Sequence, residues 1–117
     1  METNVKFQLA HVGIHQQNAQ EAQEVCEHLC DLFGYSSKSG GSSYFAGDDI
    51  EIMKSQFLNV KGHIAIGTND IIAARALLER KGIRFLEETA KFDAENRLKA
   101  IYLEAEIGGF AFHLLQL

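Results

Sequence analysis

Hydrophobic and polar positions along this chain alternate between two periods, and the change of period occurs twice. Residues 6–14 read as a strand. Ala10, Val12 and Ile14 fall on one face, and His11 and Gly13 on the other. From Asn18 the period lengthens. Ala22, Val25, Cys26, Leu29, Leu32 and Phe33 recur at helical spacing and predict the buried stripe of a helix. Asn18 is its expected N-cap, Glu21 and Glu24 suit the positive end of its dipole, and Gly34 is its expected stop. Residues 35–43 are polar and rich in Gly and Ser, and predict a weak strand with a Gly40-Gly41 turn. A short strand is predicted at 43–46, then a Gly47-Asp48 hairpin turn. Residues 49–54 alternate again, with Ile50 and Ile52 opposite Glu51 and Met53. Residues 55–61 link the two halves of the chain.

The second half repeats this order. In Gly62-His63-Ile64-Ala65-Ile66-Gly67 the two isoleucines share one face, and His63, Ala65 and Gly67 the other. Asn69-Asp70 predicts the cap of a helix reaching Lys81, with Ile71, Ala74, Leu77 and Leu78 inward and Gly82 as its end. Strands are predicted to start at 83–85 and to run over 97–104 and 110–117, separated by turns at 93–96 and 107–109. Each half is therefore a strand, a helix and about three strands. The predicted class is α+β: two βαβββ modules, approximately 5–56 and 60–117, forming a curved mixed sheet around a concave site in a single domain spanning 1–117.

Four polar side chains share one description in this pattern. His11, Glu51, His63 and His113 each lie on a first or last strand of a half. Each faces away from the bulky apolar residues expected to meet the helices. Paired sheets would bring the four together. Three neutral imidazoles and a carboxylate suit a divalent transition metal, whether zinc, iron, nickel, manganese or cobalt. His15 falls in the loop after the first strand and His28 on the polar side of the first helix, both outside this pattern. Tyr44, Phe45 and Phe57 are expected in the core.

Composition narrows the partners. The chain of 117 residues carries a net charge of −5, which argues against nucleic acid or an anionic membrane surface. No apolar run approaches membrane-spanning length and no secretion signal is visible, so the expected compartment is the cytoplasm. Cys26 and Cys30 sit one helical turn apart, a spacing that suits two free thiols.

The repeated order, with His11 and His63 on the opening strands, resembles the vicinal oxygen chelate superfamily, which includes glyoxalase I, extradiol dioxygenases, fosfomycin-resistance and bleomycin-binding proteins. Gly62-His63-Ile64-Ala65-Ile66 and Gly109-Phe110-Ala111-Phe112-His113-Leu114 carry the resemblance most specifically. It implies that His11, His63 and Glu51 occupy metal-ligand positions. His113 stands where glyoxalase I usually has Glu. The run from Gly62 to Gly109-Phe110, through Glu87-Glu88-Thr89-Ala90-Lys91-Phe92-Asp93, also resembles a glyoxalase-like extension of some bacterial keto-hydroxyglutarate/keto-deoxy-phosphogluconate aldolases.

The implied function is metal-dependent isomerase or lyase chemistry on a small oxo- or hydroxy-acid, through a metal-stabilised enediolate, with Glu51 or His113 moving the proton. Lys91, Arg97 and Lys99 are candidates to meet a substrate carboxylate or phosphate. The alternative is a non-catalytic module, for small-molecule binding or oligomerisation, associated with such an aldolase. A homodimer is expected, with the strand near 36–43 available for pairing.

Overall fold

A computed structural model describes residues 4–117. Its elements run β1 (Phe7–His15), α1 (Ala19–Phe33), β2 (Ser37–Ser39), β3 (Ser43–Ala46), β4 (Ile50–Met53), β5 (Gly62–Thr68), α2 (Ile71–Arg80), β6 (Phe85–Phe92), β7 (Leu98–Leu103) and β8 (Ala111–Gln116). A single 3-10 turn, Phe57–Asn59, lies between β4 and β5. Among the described residues the fold is α+β, with eight strands and two helices in the order strand, helix, three strands, twice over. Among the described residues, no helix is long and apolar enough to cross a membrane.

The chain divides into two compact units. One is His11–His63; the other joins the stretch up to Ala10 with Ile64–Leu117. In the first unit the strand order is β2-β3-β4-β1, and its pairing is mixed. β1 and β4 run parallel with Gly13 opposite Glu51, while β3 and β4 run antiparallel with Phe45 opposite Glu51. Ala22 and Cys26 of α1 pack on Ala46 and Ile52, with Val25, Leu29, Cys30, Tyr44 and Ile50 around them. Asn18 caps α1 by accepting from the Glu21 amide at 2.8 Å. Gly34 closes it in the left-handed region at φ 75°, where a side chain would be strained.

One expectation for α1 fails. Leu32 and Phe33 are 58% and 64% exposed. The last turn of the helix continues the apolar period beyond the residues of β3 and β4 that could cover it.

In the second unit the order is β5-β8-β7-β6. Ile71 and Ala74 of α2 form a core with Phe85, Ile101 and Leu114. Asp70 caps α2 by accepting from Ala73. The helix ends at Arg80, one residue before the expected Lys81, and Gly82 follows at φ 92°. β7 and β8 pair antiparallel, setting Tyr102 opposite His113. The predicted turn at 93–96 is tied by the Asp93 carboxylate, which accepts from the amides of Glu95 and Arg97.

Candidate metal centre

Alternation along β1 puts His11, Gly13 and His15 on one face. The parallel partner β4 sets Glu51 opposite Gly13. Over Gly13 lies the imidazole of His63, from the start of β5 and only 1% exposed. The missing side chain at position 13 makes this possible. A Cβ there would stand 2.0–2.5 Å from three atoms of the His63 ring, which no real structure tolerates. The face of β5 carrying His63 and Ala65 is more deeply buried than the face carrying Ile64 and Ile66. Small residues let the backbones approach, so the face chosen for chemistry is also the tighter one.

Three ligand-type atoms converge within the unit His11–His63. His63 Nε2 lies 3.1 Å from Glu51 Oε1, His11 Nε2 lies 3.3 Å from the same oxygen, and the two Nε2 atoms are 3.3 Å apart. Phe45 packs edge-on to the His11 ring with centroids 5.9 Å apart. It therefore borders the site instead of belonging to the core, because its register opposite Glu51 turns it to the same face.

The Val60 carbonyl, which can only accept, lies 3.0 Å from His15 Nδ1, so that nitrogen carries a proton. Burial is the main reason that the His15 pKa is lowered, with the His63 charge second. His15 Nε2 lies 2.7 Å from His63 Nδ1, and the two rings share one N–H between them. His63 Nε2 faces Glu51. Ser43, itself buried, donates to the other Glu51 oxygen at 2.7 Å. Burial opposes ionisation of Glu51, but its contacts with His11, His63 and Ser43 outweigh that and hold the carboxyl well below the ordinary range.

The separations fit a metal. Ligand atoms about 2.1 Å from a divalent ion are roughly 3.0 Å apart at right angles and about 3.4 Å apart at tetrahedral angles. The observed 3.1–3.3 Å lies between these values.

His113 belongs to the other unit, on β8, and is 7% exposed. Its Nδ1 lies 3.1 Å from the Leu114 carbonyl, to which that nitrogen donates. Its ring packs against Tyr102 with centroids 4.6 Å apart and planes tilted by 45°. An irregularity between β6 and β7 holds Tyr102, whose amide donates to the Thr89 hydroxyl at 2.9 Å.

The basic candidates lie elsewhere. Arg97 pairs with Asp93 and Glu95 of its own turn, Lys99 donates to the Gln116 carbonyl, and Lys91 is exposed. His28 is exposed, and Cys26 and Cys30 are free thiols, as expected. Burial raises the Cys26 pKa to about 11, which makes it a poor nucleophile.

Sequence reasoning misses His15 and Ser43. For His15 the signal is present: continuing the alternation of His11 and Gly13 by one more step reaches it. For Ser43 the signal is the register of a hairpin, which no local pattern gives.

No protein-family profile matches this chain, and no curated protein sequence is detectably similar to it. Solved structures are similar in fold. A methylmalonyl-CoA epimerase variant of Streptomyces coelicolor, in complex with 2-nitronate-propionyl-CoA, has TM-score 0.64 at 17% identity over 92% of this chain and 95% of that one. The Mycobacterium tuberculosis methylmalonyl-CoA epimerase gives 0.62 at 19%, over 92% and 86%. A hypothetical protein of Bacillus halodurans gives 0.67 at 14%, over 96% and 95%. The chain shares the fold of these structures, a glyoxalase-like α+β fold.

Proposed function

We propose that this protein is a metal-dependent isomerase or lyase of the vicinal oxygen chelate kind, acting on a small oxo- or hydroxy-acid. His11, Glu51 and His63 hold a divalent transition metal, with His113 as fourth ligand. The observation that carries the reading is the convergence of His11 Nε2, His63 Nε2 and Glu51 Oε1 within 3.1–3.3 Å of one another. A bound zinc, iron, nickel, manganese or cobalt ion would act as a Lewis acid toward adjacent substrate oxygens. Glu51 and His113 are the groups that would move a proton next to the substrate carbonyl. Glu51 is anionic at neutral pH, so its carboxylate has the charge to accept that proton. His63 orients the site, and Phe45 shields the His11 side from water.

The structurally similar epimerases support proton-transfer chemistry. Two of them are solved in complex with coenzyme A compounds, 2-nitronate-propionyl-CoA and methylmalonyl-CoA. The substrate class proposed for this chain is a small oxo- or hydroxy-acid, and acyl-coenzyme A thioesters are the competing class.

The test is exchange of the substrate α-proton with deuterated solvent, followed by NMR over a panel of 2-oxo- and 2-hydroxy-acids and acyl-coenzyme A thioesters. Exchange on an acid that requires added metal and is lost in Glu51→Gln and His113→Ala supports the reading. Exchange on the thioesters alone overturns the substrate class. Binding of an acid with no exchange of any compound identifies a non-catalytic module and overturns the enzyme reading.

A further inference from the structure

We infer that Ser43 is a positioning residue, which occupies one oxygen of Glu51 and leaves the other as a one-point metal ligand. This deepens the metal reading above and rests on it. The hydrogen bond from which it starts belongs to the metal-free protein.

The two oxygens of the carboxylate have different partners. Oε1 lies 3.1 Å from His63 Nε2 and 3.3 Å from His11 Nε2. Oε2 accepts from the Ser43 hydroxyl at 2.7 Å. A hydroxyl donating to a carboxylate makes a short, charge-assisted bond, stronger than one between neutral groups. Glu51 is half-buried and Ser43 is buried, so water competes poorly for either end.

The register of a hairpin sets this contact. β3 and β4 pair antiparallel with Phe45 opposite Glu51 and Ser43 opposite Met53. Ser43 and Glu51 are therefore diagonal neighbours on one face, within reach of the long glutamate side chain. The turn before β3 is tied down around Ser43. The Gly40 amide donates to the Ser43 carbonyl at 2.8 Å, and the Lys54 amide donates to the Ser42 carbonyl at 3.0 Å. Lys54 Nζ donates to the Gly40 carbonyl at 2.9 Å. Two residues along the same face, Phe45 packs edge-on to the His11 ring. One short strand thus supports both the carboxylate and its imidazole neighbour.

The consequence lies in what the metal keeps free. A carboxylate grips a cation with one oxygen or with both. Gripping with both fills a coordination position that a substrate with two adjacent oxygens needs. Turning Oε2 toward the two imidazoles would break its bond with Ser43 and leave a buried hydroxyl without that acceptor, which is costly. Ser43 therefore keeps the second oxygen away and the position open.

Infrared spectroscopy reads the binding mode. The gap between the antisymmetric and symmetric carboxylate stretches is wide when one oxygen binds and narrow when both do. Difference spectra of protein carrying isotope-labelled glutamate, zinc-loaded against metal-free, give these bands, and Glu51→Gln identifies them. The native protein should show the wide gap. Ser43→Ala should narrow it, and Ser43→Thr, which keeps the hydroxyl, should restore it. A merely structural role for Ser43 would lower stability in Ser43→Ala and leave the gap unchanged. A narrow gap in the native protein would overturn the inference, as would an unchanged gap in Ser43→Ala. Should the added methyl of Ser43→Thr prevent folding, the native and Ser43→Ala spectra decide. Ser43→Ala should also move the Glu51 bands in metal-free protein. That shift, in a native protein whose bands do not respond to zinc, would overturn the metal reading and support the hold of Ser43 on Oε2.

Discussion

At the scale of single residues, the site depends as much on what is missing as on what is present. Gly13 contributes no side chain, and that absence is what admits the His63 ring. Gly13→Ala is expected to expel that ring from its seat, at a cost of about 1–3 kcal/mol in stability measured by denaturant unfolding, together with loss of metal affinity. Glu51 gives a pH prediction. Its folded pKa lies below the ordinary 4.5, so its contribution to stability is present above that value and is lost as pH falls below it. Native protein should therefore lose more stability than Glu51→Gln between pH 7 and acid conditions, in metal-free urea titrations. Equal losses would show that the carboxylate makes no favourable contacts. The four ligand candidates are readable from the sequence because strand alternation alone assigns a face. Ser43 is not, because its hydroxyl reaches Glu51 across a hairpin whose register is set by tertiary packing.

At the scale of elements, the caps are readable and the ends of apolar stripes are not. Asn18 and Gly34 bound α1 where the sequence puts them, since one side-chain acceptor and one left-handed residue suffice to mark each end. Asn18→Ala should cost about 1 kcal/mol of stability. The stripe of α1 misleads in its last turn. Periodicity describes a helix surface but does not say how far its neighbour extends, and Leu32 and Phe33 are exposed. Leu32→Lys should accordingly change stability by less than about 0.5 kcal/mol, whereas a residue of the buried stripe would cost several times more. β1 shows the opposite error. It extends to His15, whose amide donates to the Lys61 carbonyl at 2.8 Å, so a residue that reads as loop is held in the strand and supports the site. Phe45 likewise reads as core, because aromatic side chains in short strands usually are. The register opposite Glu51 turns it to the site face instead.

At the scale of the molecule, the repeated order of elements is readable in a chain whose halves share little residue identity. Each half repeats the same succession of strand period, cap, helix period and glycine stop. The fold that it builds is what is shared with the epimerase structures at 17–19% identity. The substrate is decided by a few side chains, which is why fold similarity alone does not fix it. We propose that the chain forms a homodimer. β2, with Ser37–Ser39 all exposed at the end of its strand order, offers an unpaired edge. Light scattering on the eluted protein at micromolar concentration should give twice the 13.0 kDa chain mass. A strict monomer would contradict this.

Whether His11, Glu51, His63 and His113 together hold one divalent ion is decided by elemental analysis of the purified protein. The expected result is about one transition metal per chain, present as isolated or after reconstitution, and lost in a His63→Ala, His113→Ala double variant that remains folded. No metal in the native protein after exposure to zinc, iron, nickel, manganese and cobalt, or undiminished metal in the double variant, would contradict it.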